Sequence, residues 1–285
     1  MREGMHMSEI KKVVQRAFEE KWAIGHFNMS GLEAAQGIAA AARRYNGPVI
    51  LGTANGTLDH LGMDYVALVA TEVRRHALGR VFLHMDHGTV EQAHYCIDAG
   101  YDSVMVDASM YDYETNVRLT REIVEHAKKY DVAVEAQIGK TWEPGDERFG
   151  EDCDTHPDEA EQFVKDTGID WLAVSIGNNP GAVDVHAAPI QLATLAEIER
   201  RCGVPIVMHG GTNVGDETMK DAIALGVAKV NIDTAVRYAM TEGVKGYYDA
   251  NPGVVDIRPG MAAARENVTE AVGKKMELFG SVGRF

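Results

Sequence analysis

Two imidazoles and a carboxylate crowd into four positions of the stretch VFLHMDHGTV, residues 81–90, where His84, Asp86 and His87 follow an apolar run. A further histidine, His209, stands in VMHGGTN at 207–213, and like His87 it is followed directly by a glycine. Two imidazoles with neighbouring carboxylates suit Zn²⁺ or a similar divalent ion. Asp86 precedes His87 by one residue, so in a strand it points in another direction and is a candidate general acid/base. The plainer alternative, hydrogen-bonded polar residues at strand ends, stays open from these residues alone.

Other polar residues fall at comparable points of the chain, directly after or at the end of apolar runs. They are His26, Asn28, Asp107, Glu135, Gln137, Asn231, Asp233 and Thr234. The segment HGGTN at 209–213 combines glycine amides with a hydroxyl group and precedes a helical pattern, which is typical of a phosphate cradle. Tight turns need glycine in any case, so the phosphate interpretation depends on KVNIDT at 229–234 lying beside this segment.

The elements that must position these residues are short apolar runs separated by longer stretches of helical period. Eight runs predict strands at 22–28, 48–53, 80–86, 101–107, 132–139, 170–177, 205–211 and 229–234. The segments between them, such as ETNVRLTREIVEHAKKY, carry apolar residues at helical spacing. Strands that are apolar along their whole length indicate a parallel sheet covered by helices. The count of eight favours a closed (β/α)₈ TIM barrel, whose polar strand ends share one mouth.

The whole chain, 1–285, is predicted to form this single α/β domain, with additional helices at its N- and C-terminal ends. The connection at 139–156 is long, charged and rich in Gly and Pro, which indicates an active-site lid or a disordered loop.

The composition restricts the classes of function. Asp and Glu number 43 against 28 Lys and Arg, and the net charge of −15 argues against a nucleic-acid partner. The sequence contains neither a predicted membrane span nor a secretory signal, and its 3 cysteines have no CxxC pair. A reduced cytoplasmic protein with a small-molecule substrate is the expected class.

Five motifs, HMDHG, VEAQIG, VMHGGTN, KVNIDT and LFGSVGR, occur in the order that resembles the class II, metal-dependent ketose-bisphosphate aldolases of the fructose/tagatose type, over about residues 8 to 285. The resemblance implies a divalent metal, most simply Zn²⁺, as a Lewis acid that stabilises the enediolate left by C–C cleavage. It also implies a homodimer or homotetramer and a sugar or sugar-phosphate substrate.

The resemblance assigns roles residue by residue. Asp86 would be the acid/base, and Asn231 would hydrogen-bond the enediolate. A carboxylate of the long loop, Glu143 or Glu147, is the candidate for moving the proton at the terminal carbon. His87 and His209 would be metal ligands, and Glu135, His186 or a bound water would be the candidates for the third. The substrate and its phosphate would contact Asn28, Gly181, Gly210, Gly211, Thr212, Asp233 and Thr234.

The chain departs from the family pattern in the same pocket. Pro180 stands where the family has a ligand histidine, and Asp184 stands where it has a phosphate-binding lysine. A carboxylate in place of an ammonium group changes the interaction with a phosphate about 5 Å away by several kcal/mol, roughly, at an effective dielectric constant near 20. Gln137 and Ala54 replace a glutamate and a serine.

Three hypotheses follow from these matches and departures. The first is a metal-dependent lyase that cleaves a ketose or ketose phosphate, with a non-standard substrate. The second is an epimerase, or an aldolase for an unphosphorylated or acidic sugar. The third is a metal-free, inactive binding homologue.

Overall fold

Eight parallel strands close into a barrel in which each strand pairs with the next along the chain, and β8 pairs with β1. The computed structural model describes residues 7–78, 80–140, 154–178 and 189–285. The strands are β1 Ile24–Asn28, β2 Val49–Ala54, β3 Val81–Gly88, β4 Ser103–Val106, β5 Ala133–Ile138, β6 Trp171–Val174, β7 Ile206–Met208 and β8 Val227–Ile232. The predicted (β/α)₈ fold is therefore confirmed, with all eight strands within a few residues of their predicted positions.

Helices surround the barrel on its outside. They are α1 Glu9–Glu20, α2 Leu32–Arg44, α3 Asn55–Leu61, α4 Met63–Arg75, α5 Val90–Asp98, α6 Tyr113–Ala127, α7 Pro157–Thr167, α8 Leu192–Cys202, α9 Asp216–Ala224, α10 Thr234–Ala250 and α11 Ile257–Phe279. The short α3 after β2 was not predicted. Local signals set several helix ends: Thr89 and Gln92 form a capping box at α5, and the left-handed Gly168 ends α7. In the described part of the chain, every helix is too short or too polar to span a membrane.

The barrel interior is divided into an apolar half and a polar half. Side chains near the strand N-termini pack against α1, which covers that end of the barrel through Ile10, Val13 and Val14. Toward the strand C-termini the interior becomes polar although it stays buried, through His26, His84, Asp86, Glu135, His209, Lys229 and Asn231. Side chains alternate between the two faces of a strand, so residues two apart enter the same interior. The polar half is the floor of the barrel mouth, where active sites of this architecture lie.

Candidate active site

The end of β3 delivers two consecutive side chains to the same place. On a regular strand Asp86 and His87 would point to opposite faces. Here the pairing of β3 with β4 shifts between Met85 and Gly88, and His87 adopts a left-handed backbone with φ 54°. A bulge of this kind turns a side chain away from its regular direction. Asp86 and His87 therefore both reach the mouth, and the ligand atoms of Asp86, His87 and His209 lie within 4.8 Å of one another.

The two imidazoles face each other directly. His87 Nε2 lies 2.8 Å from His209 Nδ1, and the rings meet edge to face at a centroid distance of 4.6 Å. A carboxylate holds each ring from behind. His87 Nδ1 lies 2.6 Å from Asp107 Oδ2, and His209 Nε2 lies 2.9 Å from Glu135 Oε1. Since a carboxylate accepts the hydrogen of the outer nitrogen, the inner nitrogens are left as the ones that present lone pairs.

Two inward lone pairs require a positive charge between them, and the surrounding charges favour one. Three carboxylates, Asp86, Asp107 and Glu135, surround the imidazoles and one buried ammonium group, that of Lys229. Burial alone would lower the pKa of His87, but Asp86 and the hydrogen bond to Asp107 raise it to about 9. The histidine donors and the excess negative charge therefore fit a divalent cation such as Zn²⁺.

Asp86 is placed as a base beside these imidazoles. Its Oδ1 lies 3.8 Å from His87 Nε2 and 4.0 Å from His209 Nδ1. Asn28 Nδ2 donates to Oδ2 at 2.8 Å, and Asn231 Nδ2 donates to Oδ1 at 3.1 Å. Burial would raise the pKa of Asp86, but attraction by His87, with a smaller contribution from Lys229, holds that pKa well below its usual range. Asp86 is thus an oriented carboxylate that is ionised at neutral pH.

Glu135 contacts the outer nitrogen of His209, whereas the sequence predicted it as a metal ligand. Its Oε1 accepts from His209, and its Oε2 forms an ion pair with Lys229 Nζ at 2.8 Å. Burial would raise the pKa of Glu135, but Lys229 and the hydrogen bond from His209 hold it far below its usual range. Both oxygens of Glu135 are thus engaged by His209 Nε2 and Lys229 Nζ, and neither contacts His87 Nε2 or His209 Nδ1, the two nitrogens that face each other.

Lys229 was missed by sequence reasoning. It is fully buried on β8, and its ammonium group also donates to Asn231 Oδ1 at 2.7 Å. The signal was present in KVNIDT, because a residue two positions before Asn231 shares its face of the strand. Lys229 thus links Glu135, which contacts His209, to Asn231, which donates to Asp86.

His26 and His84 lie beneath Asp86 and contact each other edge to face at 5.1 Å. Burial, with Lys229 nearby, lowers the pKa of His84 to about 3 and that of His26 well below its usual range, so both rings are neutral. Gly52 makes room for His26, because a Cβ at that position would lie 2.0 Å from His26 Nε2 and 2.4 Å from Asn28 Oδ1. His26 and His84 also offer ligand atoms near Asp86, and they belong to this same site.

The residues of the predicted phosphate cradle lie on two adjoining segments, the turn after β7 and the start of α10. Gly210 has a left-handed backbone, and residues 211–213 form a short 3₁₀ turn. Thr212 Oγ1 accepts from the backbone N–H of Ala235 at 3.4 Å, which links this turn to the first turn of α10. Asp233 precedes α10, pairs with Arg237, and has its pKa raised by burial. Gly211 and Thr234 thus lie on adjoining segments at the mouth.

Six residues of the sequence predictions lie outside the described residues, namely Glu143, Glu147, Pro180, Gly181, Asp184 and His186. Gln137, one of the departures from the family pattern, is buried on β5, and its side-chain N–H donates to the Gly139 carbonyl at 3.2 Å.

Imidazoles, carboxylates and a buried lysine that converge at the C-terminal mouth of a (β/α)₈ barrel define an enzyme active site. Comparisons with known proteins identify the kind of enzyme. Residues 8–284 match the family described as fructose-bisphosphate aldolase class-II. The chain is 35% identical to the fructose-bisphosphate aldolase of Geobacillus stearothermophilus, over 98% of this chain and 99% of the relative.

Two further relatives broaden the comparison. The chain is 32% identical to the 6-phospho-5-dehydro-2-deoxy-D-gluconate aldolase of Bacillus subtilis, over 98% of each chain. The crystal structure of the YdjI aldolase from Escherichia coli K12 superposes with a TM-score of 0.85 at 31% identity, covering 98% of this chain and 99% of that one. The chain belongs to the class II fructose-bisphosphate aldolase family, and it is an aldehyde-lyase.

Proposed function

We propose that the protein catalyses the reversible retro-aldol cleavage of a ketose or ketose phosphate with the help of a divalent ion, most simply Zn²⁺. The observation that carries this proposal is the convergence of His87 Nε2 and His209 Nδ1 at 2.8 Å beside the carboxylate of Asp86. The same three residues are the ones that the family motif assigns to metal binding and proton transfer.

His87 and His209 would hold the ion through their facing nitrogens, and Asp107 and Glu135 would orient the two rings from behind. We therefore assign Glu135 an orienting role rather than coordination. The ion would supply Lewis-acid polarisation of the substrate carbonyl when bound.

Asp86 performs the proton transfer at the carbon where the bond breaks. In the cleavage direction its carboxylate removes the hydroxyl proton of that carbon, the C–O bond becomes a carbonyl, and the electron pair of the C–C bond passes to the ketose fragment. In the reverse direction it returns the proton to the alkoxide. Asn28 and Asn231 fix one oxygen each, so the carboxylate is held in one orientation. Asn231 is further proposed to hydrogen-bond the fragment that carries the negative charge.

The phosphate end of the substrate is assigned to Gly210, Gly211, Thr212, Asp233 and Thr234, on the adjoining turn and helix start. Gly181 keeps the role of phosphate contact that the family motif gives it, and Glu143 or Glu147 is proposed as the acid/base at the terminal carbon. Backbone N–H groups at a helix start favour an anion.

The substrate is proposed to differ from fructose 1,6-bisphosphate. Pro180 and Asp184 remove a ligand side chain and a cation from the family pattern. The Bacillus subtilis relative is named for a sugar acid, although it is nearly as similar as the fructose-bisphosphate aldolases. An aldolase for an acidic or unphosphorylated sugar is therefore the second candidate.

The test is a screen of metal-supplemented protein against ketose 1-phosphates, bisphosphates, free ketoses and keto sugar acids, read by product mass after chromatographic separation. A fragment pair from one substrate supports the aldolase, whereas a product of unchanged mass and altered retention identifies an epimerase. Rapid cleavage of fructose 1,6-bisphosphate by the wild type would contradict the proposed change of substrate. The absence of both products with every substrate would favour an inactive homologue.

We also propose a cytoplasmic homodimer or homotetramer. Large apolar side chains are exposed at two places. Tyr65 and Leu68 lie on α4, and Val255 and Ile257 lie around the start of α11. Cys96 and Cys202 are free thiols, in keeping with a reducing compartment. Light scattering coupled to size-exclusion chromatography measures the oligomeric state, and a monomer mass would contradict this proposal.

A further inference from the structure

Two histidines and two carboxylates meet on the outer surface, between α5 and α6. His94 and Asp98 are four residues apart on α5, and Glu122 and His126 are four residues apart on α6. This spacing places each pair on one face of its helix. The two faces point toward each other, because the rings of His94 and His126 meet edge to face at a centroid distance of 4.4 Å.

Each histidine contacts the carboxylate of the other helix. His94 Nε2 lies 3.4 Å from Glu122 Oε1, and His126 Nε2 lies 3.0 Å from Asp98 Oδ1. Ligand atoms bound to one tetrahedral Zn²⁺ at about 2.05 Å lie about 3.3 Å apart. The separations within each cross-helix pair are close to this value, and the ring contact at 4.4 Å places the two pairs side by side.

The backbone under the cluster is held in place. Ala93 and Ile97, which alternate with the α5 ligands, are buried in the core, and so are Ile123 and Ala127 on α6. The ligand positions therefore keep their spacing without a metal. Asp98 is the last residue of α5 and His126 lies in the last turn of α6, where the negative ends of two helix dipoles favour a cation.

We propose that His94, Asp98, Glu122 and His126 form a second divalent-metal site, suited to Zn²⁺ or Co²⁺, that joins α5 to α6. Imidazole nitrogens and carboxylate oxygens are both ligand types that these ions bind. The site lies at the C-terminal ends of the helices, hence at the end of the barrel opposite the mouth, and it is separate from His87 and His209. It fastens together the helices that follow β3 and β4, the strands that lead to His87 and Asp107.

The experiment titrates Zn²⁺ into chelator-treated full-length protein by calorimetry and repeats the titration with Co²⁺, whose visible absorption reports tetrahedral coordination. The wild type is expected to bind one more equivalent, with a Kd of about 10 µM or lower, than the H94A/H126A variant. The H87A/H209A variant is expected to keep this additional equivalent. The additional ion should also raise the Tm of the wild type but not that of H94A/H126A.

A matched control comes from α4, where Glu72 and His76 are also four residues apart, with an Nε2–Oε2 distance of 4.0 Å. The groove that they share with α2 is lined by Gln36 and Arg43 in place of a second histidine and carboxylate. The H76A variant should bind as many equivalents as the wild type. The D98N/E122Q variant, which keeps both imidazoles and the surface shape, should weaken the additional equivalent at least about tenfold. Equal stoichiometry in the wild type and H94A/H126A would overturn the proposal, as would loss of the additional equivalent in H76A.

Discussion

The buried ion pair between Lys229 and Glu135 offers the sharpest test of how the site is held together. Both side chains are fully buried, and Nζ lies 2.8 Å from Oε2. At an effective dielectric constant of about 20, two unit charges at this distance attract by about 6 kcal/mol. The K229M variant leaves a buried carboxylate without its cation and removes a donor from Asn231, so we expect it to lower the free energy of unfolding by about 3–5 kcal/mol.

Equilibrium urea unfolding followed by circular dichroism, with a refolding arm to establish reversibility, measures this loss. In the E135Q/K229M double variant, the free energy of unfolding should fall by less than the sum of the decreases in the two single variants. Each single variant leaves one buried charge without its partner, and the double variant leaves neither. K128M is the matched control, since Lys128 pairs with Glu125 at 2.6 Å on the exposed face of α6. It should leave the urea midpoint unchanged. If K229M behaves like K128M, or if the double variant is additive, the pair does not hold the site as described.

Three further outcomes are expected. The D107A variant should weaken Zn²⁺ binding about 10–100-fold in chelator competition, because Asp107 orients His87; unchanged affinity would show that His87 needs no orienting carboxylate. The D86N variant should lower kcat about 10²–10⁴-fold with an unchanged Tm and Zn²⁺ stoichiometry, because it removes the base but keeps the side-chain shape; a kcat within a few-fold of wild type would move the proton transfer to another residue. Chelator treatment should abolish cleavage and added Zn²⁺ should restore it, whereas activity that survives exhaustive chelation would exclude the proposed metal dependence.

The architecture was predictable because its determinants are local. The apolar runs around Ile50, Val104 and Val207 become buried strands, and the helical period between them becomes the outer layer. The extra helix α3 was not predicted, because NGTLDHL is short and contains a glycine, and its formation depends on packing between β2 and β3.

The site was only partly predictable, because its decisive contacts are long-range. Asp86, His87 and His209 were identified as its centre, and the structure brings them together. The bulge that turns both Asp86 and His87 toward the mouth depends on pairing with β4, which the sequence of β3 does not reveal. The position of Glu135 behind His209, and its pairing with Lys229, depends on which strands lie opposite each other across the barrel.

The space that Gly52 leaves for the ring of His26 ties two positions on neighbouring strands to one another. A relative with a larger residue in place of Gly52 therefore needs a smaller residue in place of His26. Asn28, which donates to Asp86, also has to change its position, because its Oδ1 would lie 2.4 Å from the added Cβ. Substitutions at positions 26 and 52 should consequently occur together in evolution. An intermediate sequence would keep glycine at 52 or carry a smaller residue at 26.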